Sequence, residues 1–209
     1  MYSQLIYMHP AAGKNPELLE VLRERNKVSN AEGFPHMVAQ QLFAPEPTIV
    51  SVTQFQDLAA LEAWQDANAA DAAYRDAGRR VLATVSGPTR VELVESLAQT
   101  ERTGEVRFFL SATSFAAPGK AAELRKALEA SFPRTVAAGT VMRVLQRSVA
   151  LEEGAAYTLS FGFSSLAGLH DLTHDPSFGT GVAAMAGFMA RPVRQRLYRV
   201  VMPFSGAAA

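Results

Sequence analysis

The chain has 209 residues, enough for one large domain or two small ones, and is 48% hydrophobic and 19% charged, the balance of a globular protein. Lysine plus arginine equals aspartate plus glutamate at 20 each, so no basic face is announced and nucleic acid is not expected as a partner. There is no cysteine, which excludes disulfides, thiolate nucleophiles and cysteine metal sites; no apolar run approaches the roughly 20 residues of a membrane span, and without a basic, apolar leader the expected location is the cytoplasm.

Residues 3–9 alternate as a strand, with Leu5, Tyr7 and His9 on one face and Gln4, Ile6 and Met8 on the other. Asn15 and Pro16 suit a helix start, Asn as cap and Pro in the first turn. Leu18, Val21, Leu22 and Arg25 follow at helical spacing, and Gly33 and Pro35 end the helix. Residues 36–43 and 48–55 are β-rich runs joined by a proline-containing turn, which predicts an antiparallel hairpin. Asp57 is placed to cap a helix carrying Leu58, Leu61 and Trp64 inward. A second helical run, 71–85, buries Tyr74, Val81 and Leu82; Gly87 and Pro88 stop it before a strand over 89–97.

Residues 98–104 are polar and read as a linker, and the order of elements then repeats. A strand over 105–114 precedes a helix opened by Pro118, Gly119 and Lys120 and carrying Leu124 and Leu128. Strands over 140–149 and 156–163 flank a turn at 151–154. A short helix over 165–174, a longer one over 178–190 and a strand over 194–204 complete the series, leaving 205–209 as a frayed tail. Phe55 and Phe163, each at the end of an extended run, lie 108 positions apart; Leu18 and Leu22 match Leu124 and Leu128 at an offset of 106. Each half reads β-α-β-β-α-β, the ferredoxin-like pattern, giving domains over 1–98 and 105–204. Apolar residues fall on both faces of the first strand, and a bare apolar sheet face is not stable in water. The expected fold class is therefore α+β: two tandem ferredoxin-like βαββαβ units whose sheets cover each other as an intramolecular pseudo-dimeric α/β barrel.

A strand ending in Phe, a short helix, and then the step His174, Asp175, Pro176, Ser177, Phe178 into a longer helix together resemble the dimeric α/β-barrel superfamily, which includes antibiotic-biosynthesis-monooxygenase-like, NIPSNAP-like and EthD-like proteins. The first-half counterpart, 66–74, keeps only an aromatic at Tyr74; Tyr7 with Gly13 and Lys14 is similar to the NIPSNAP-like opening. The resemblance implies a small-molecule protein, either a cofactor-independent monooxygenase-like enzyme, a non-catalytic ligand-binding or interaction module, or a haem-binding member.

Candidate catalytic residues are His9, His36 and Tyr74, with Tyr7 and Trp64 as candidate substrate-binding residues. A histidine can exchange protons near neutral pH, a phenol can orient a substrate, and an indole can line an apolar cleft. Each has a plain structural alternative: a hydrogen-bonded histidine at a strand end, or an aromatic packed in a core. Together the five would suit a cleft for an aromatic or polyketide-like substrate, provided they converge. The first half carries nearly all of these candidates and is where a single retained site is expected. His170 and His174 share a helical face, but no third ligand is placed, so they read as a solvated face and no metal or cofactor is expected. The arginines at 143, 147, 194, 196 and 199 read as edge-strand charge, with anion gripping as the alternative. No Gly-rich dinucleotide loop, Walker loop, HExxH or GxSxG is present. A small-molecule ligand is the expected partner, and a homodimer of the fused pair is left open.

Overall fold

The structure, a computed structural model, describes residues 1–30, 34–133, 139–149 and 155–205; the expected helix end at Gly33, the turn at 151–154 and the end of the tail lie outside them. The described residues form eight strands and six α-helices, and the chain divides into two compact units, Met1–Leu93 with Val201–Ala209, and Val94–Val200. The fold class is α+β, and each sequence repeat is a ferredoxin-like βαββαβ unit whose second helix is split in two.

In the first unit, β1 (Tyr2–Met8), β2 (His36–Gln41) and β3 (Ile49–Phe55) form an antiparallel sheet with β3 in the centre. The register sets Tyr2 opposite Phe55 and His36 opposite Thr53. Helix α1 (Asn15–Asn30) lays Leu18, Val21 and Leu22 on one face of this sheet, against Met8, Val38 and Ile49. Helix α3 (Ala72–Thr84) adds Val81 to that core, and Met202 joins it from β8 (Arg194–Ser205). Helix α2 (Leu58–Ala70) closes a neighbouring cluster of Phe55, Leu61 and Trp64. Asp57 caps α2 by accepting the Ala60 N–H at 2.8 Å, and Asp71 caps α3 from Ala73 at 2.7 Å.

In the second unit, β5 (Phe108–Phe115), β6 (Thr140–Ser148) and β7 (Ala156–Phe163) repeat the arrangement with β7 in the centre. The residues of β4 (Arg90–Gln99) from Val94 onward pair with β6, and β8 pairs with β5. Leu124 and Leu128 of α4 (Ala121–Ser131) and Leu172 of α5 (Leu166–His174) pack on Phe161 and Phe163, with Met185 of α6 (Pro176–Met185). Here α5 meets the start of β6 backbone to backbone. A Cβ on Gly139, whose φ is +82°, would lie 2.7 Å from the Gly168 Cα, and one on Gly168 would lie 2.9 Å from the Gly139 carbonyl oxygen.

Several elements differ from the sequence reading. Strand β4 runs on through Ala98 and Gln99, because backbone pairing with Leu145 and Val144 continues whatever the polarity of the side chains. Strand β5 begins at Phe108, and β2 ends at Gln41, ahead of Phe43, whose φ is +55°. Asn15 is the first residue of α1 rather than its cap: the Leu18 N–H donates to the Lys14 carbonyl, and the Asn15 side-chain oxygen has no partner among the described residues. Leu58 and Leu82 face solvent, since α2 and α3 turn Leu61, Trp64 and Val81 to the core instead. The last long helix stops at Met185 and continues as a 3₁₀ turn, Ala186–Phe188.

Candidate functional site

Strand alternation puts Ile49, Ser51, Thr53 and Phe55 on one face of β3, and Ile49 shows that this is the face covered by α1 and α3. His36, directly opposite Thr53, joins them from β2. Its Nδ1 lies 2.9 Å from the Thr53 hydroxyl and its Nε2 3.2 Å from that of Ser51. One ring nitrogen donates and the other accepts in either neutral tautomer, and a hydroxyl can answer both. The ring is 2% exposed. Burial, reinforced by the positive charge of Arg25, lowers its pKa from 6.5 to about 3, so it is neutral throughout the physiological range.

Arg25 follows Leu18 and Leu22 on the inward stripe of α1 and is 9% exposed. Its Nη2 donates to the Tyr74 hydroxyl at 2.5 Å. The Tyr74 ring meets Trp64 edge-on at 5.9 Å, Trp64 meets Phe55 at 5.3 Å, and Phe55 meets Phe34 at 5.3 Å. Two hydrogen-bonded sets, His36 with Ser51 and Thr53, and Arg25 with Tyr74, linked by the effect of the Arg25 charge on His36, therefore adjoin an aromatic wall. One turn beyond Trp64 on the buried face of α2, Asn68 has neither side-chain polar atom partnered among the described residues.

The structure thus brings together three of the five candidates, His36, Tyr74 and Trp64. Tyr7 lies on the opposite face of β1 from Met8, and hence away from the helices, with the Arg90 guanidinium 4.3 Å from its ring centroid. His9 stands past the end of β1, its Nδ1 3.3 Å from the Thr48 hydroxyl and its carbonyl accepting the Ser86 N–H. Neither joins the group. Arg25, Ser51 and Thr53 do join it and were not singled out in the sequence. The available signal was a charged residue on the apolar stripe of α1.

The matching positions of the second unit carry different chemistry. Arg143 opposes Phe161 as His36 opposes Thr53, and Leu159 and Phe161 stand where Ser51 and Thr53 stand. By the repeat offsets, Ser131 takes the place of Arg25, Val182 that of Tyr74 and Leu172 that of Trp64. With smaller residues there, a cavity of about 30 Å³ opens between the sheet, α4 and α6, bordered by Ser131, Leu159, Phe161 and Val182. Arg143 turns to the Phe132 carbonyl, and burial lowers its pKa. On the surface of α5 the His170 and His174 rings lie 4.0 Å apart; no group of three or more potential metal-ligating side chains occurs among the described residues. Nor is any helix among them long and apolar enough to cross a membrane.

Residues 1–80 match the antibiotic biosynthesis monooxygenase family, a span that contains the entire polar group and its aromatic wall. The chain is similar in fold to a provisionally named monooxygenase from Fusobacterium nucleatum, with a TM-score of 0.79 at 10% identity over 99% of this chain and 98% of that one. A provisionally named monooxygenase from Lactobacillus acidophilus gives 0.73 at 9% identity, over 99% and 97%. An anthrone oxidase-like protein gives 0.68 at 14% identity, over 100% and 96%. No curated protein matches the sequence significantly. Residues 1–80 thus carry the sequence match to the antibiotic biosynthesis monooxygenase family, and the chain as a whole shares its fold with proteins of the dimeric α/β-barrel type.

Proposed function

We propose that this protein is a cofactor-independent, monooxygenase-like enzyme acting on a small aromatic substrate with an acidic C–H, and that its site is the polar group of the first unit. The observation that carries this reading is the coincidence of that buried group with residues 1–80, the span that matches the monooxygenase family. In such a reaction the substrate's own carbanion reduces dioxygen. A methylene and O₂ give a carbonyl and water, one oxygen atom entering the product and the other leaving with the two hydrogens. The protein has to bind the substrate, stabilise negative charge on its oxygen and exclude water.

Tyr74 accepts from Arg25 and so keeps its own proton for a substrate oxygen. Trp64, packed edge-on against Phe55 and Tyr74, supplies the aromatic wall for a planar substrate. His36, held neutral, serves as a hydrogen-bonding group; at about 3 its pKa is too low for a base matched to neutral pH. Anthrone is the probe of choice, converting to anthraquinone with uptake of one O₂. Purified protein should accelerate oxygen uptake over buffer in step with anthraquinone formation, and Tyr74→Phe and Trp64→Ala should each lower the rate at least tenfold. Rates no faster than buffer, or unaffected by both substitutions, would refute the proposal. A visible spectrum of the same sample reads out the haem-binding alternative independently of turnover.

A further inference from the structure

Arg25 is the feature of the first unit that its fold leaves unexplained. Among the described residues every ion pair involves side chains with substantial exposure, and none involves Arg25. Its one described hydrogen bond goes to the Tyr74 hydroxyl, with the guanidinium 4.9 Å from the centroid of the same ring. A guanidinium has five donors, and burying it without a counter-charge is unfavourable. Packing does not call for it: the matching position on α4 is Ser131, and that unit builds its core without a charge there. The neighbouring groups do not supply the missing charge either. His36 is neutral, and Ser51 and Thr53 are hydroxyls already engaged with it.

We infer that Arg25 is the binding residue for an aromatic anion, with a carboxylate or enolate oxygen seated on its guanidinium and on the Tyr74 hydroxyl, and the ring against Trp64. The inference rests on the placement of the site proposed above, and adds the charge of the ligand and the residue that selects it. A planar guanidinium meets a carboxylate through two parallel hydrogen bonds, and a ligand anion supplies the counter-charge that the described protein lacks. Because Trp64 is the sole tryptophan, the protein has a single indole N–H resonance, 5.9 Å between ring centroids from Tyr74 and so a direct reporter of occupancy.

The test is a titration of ¹⁵N-labelled protein with 2-naphthoate and with its neutral isostere 2-naphthamide, following the Trp64 indole cross-peak. The acid should shift it and bind at least tenfold tighter than the amide. Arg25→Met should reduce that preference to less than twofold, while Arg25→Lys retains most of it. The methionine removes a buried charge and is expected to fold, which circular dichroism checks. Equal binding of acid and amide, an unchanged preference in Arg25→Met, or no shift with either probe at millimolar concentration would overturn the inference. Oxygen uptake separates the two readings. An Arg25-dependent preference for the acid without anthrone turnover leaves the anion site standing and removes the oxygenase, and anthrone turnover undiminished in Arg25→Met does the reverse.

Discussion

Replacing His36 with glutamine should flatten the acid sensitivity of the first unit. In the folded protein the imidazole is held at about 3, against 6.5 when unfolded. Between those values the unfolded chain takes up a proton that the native state refuses, so stability falls as pH drops below the unfolded value. Above pH 6.5 the residue makes no pH-dependent contribution. At pH 5, about 1.5 units below the unfolded pKa, the penalty is about 2 kcal/mol, at about 1.4 kcal/mol per unit. Glutamine keeps a donor and an acceptor for Ser51 and Thr53 but has no proton to gain. Urea unfolding followed by Trp64 fluorescence, at pH 7.5 and 5.0, should show the wild type losing about 2 kcal/mol more than His36→Gln over that interval. Every other ionisable group is common to both proteins and cancels in the comparison. Losses that agree within about 0.5 kcal/mol would mean that His36 protonates freely in the native state, and the buried, doubly bonded ring would have to be abandoned.

Tyr74→Phe leaves the buried guanidinium without its phenol oxygen and should destabilise the protein by about 1.5–3 kcal/mol in urea, the range for a hydrogen bond to a charged group. Arg25→Met removes the second cause of the His36 shift, so the imidazole pKa, read from its NMR titration, should rise yet stay below 6.5 because burial remains. Gly168→Ala drives a methyl into the Gly139 carbonyl; as neither partner is a flexible side chain, a loss of about 1–3 kcal/mol is expected in thermal unfolding. Phe55→Ala and Phe163→Ala empty equivalent core positions and should each cost about 3–5 kcal/mol by the same measurement, a marked inequality arguing against equivalent packing in the two repeats.

The repeat was legible because packing dictates it: Phe55 and Phe163, and Leu18 and Leu22 with Leu124 and Leu128, are buried as pairs at matching places. His36, Tyr74 and Trp64 were legible as residue types that seldom lie buried without a partner. Tyr7 and His9 were grouped with them because alternation says which residues of β1 share a face, but not which face the helices cover. With Leu5 and Tyr7 on one side and Ile6 and Met8 on the other, hydrophobicity could not decide, and it is the Met8 side that packs on α1. Ser51 and Thr53 pass for ordinary strand residues until the register sets His36 beside them. Arg25 was visible on the inward stripe of α1, but a charge at such a position ordinarily extends its head to solvent, and only the contact with Tyr74 shows that this one does not.

The difference between the repeats bears most directly on function. Residues that hold each unit together are alike in both: an apolar pair on the first helix, an aromatic ending the central strand, and a helix packed beneath it. Residues of the polar group are not. Where the first unit has Ser51 and Thr53 the second has Leu159 and Phe161, which the same sheet face accommodates within a continuous apolar core. The fold is therefore satisfied by hydrocarbon where Ser51 and Thr53 stand, whereas Arg143 and Ser131 keep polar groups at the places of His36 and Arg25; the two buried hydroxyls are not required by the fold. Buried hydroxyls that the architecture does not need, beside a histidine whose pKa is lowered by burial and by Arg25, are what the proposed ligand would account for. For that reason the charge of the ligand, rather than the reaction, is the property of this site that a titration should establish first.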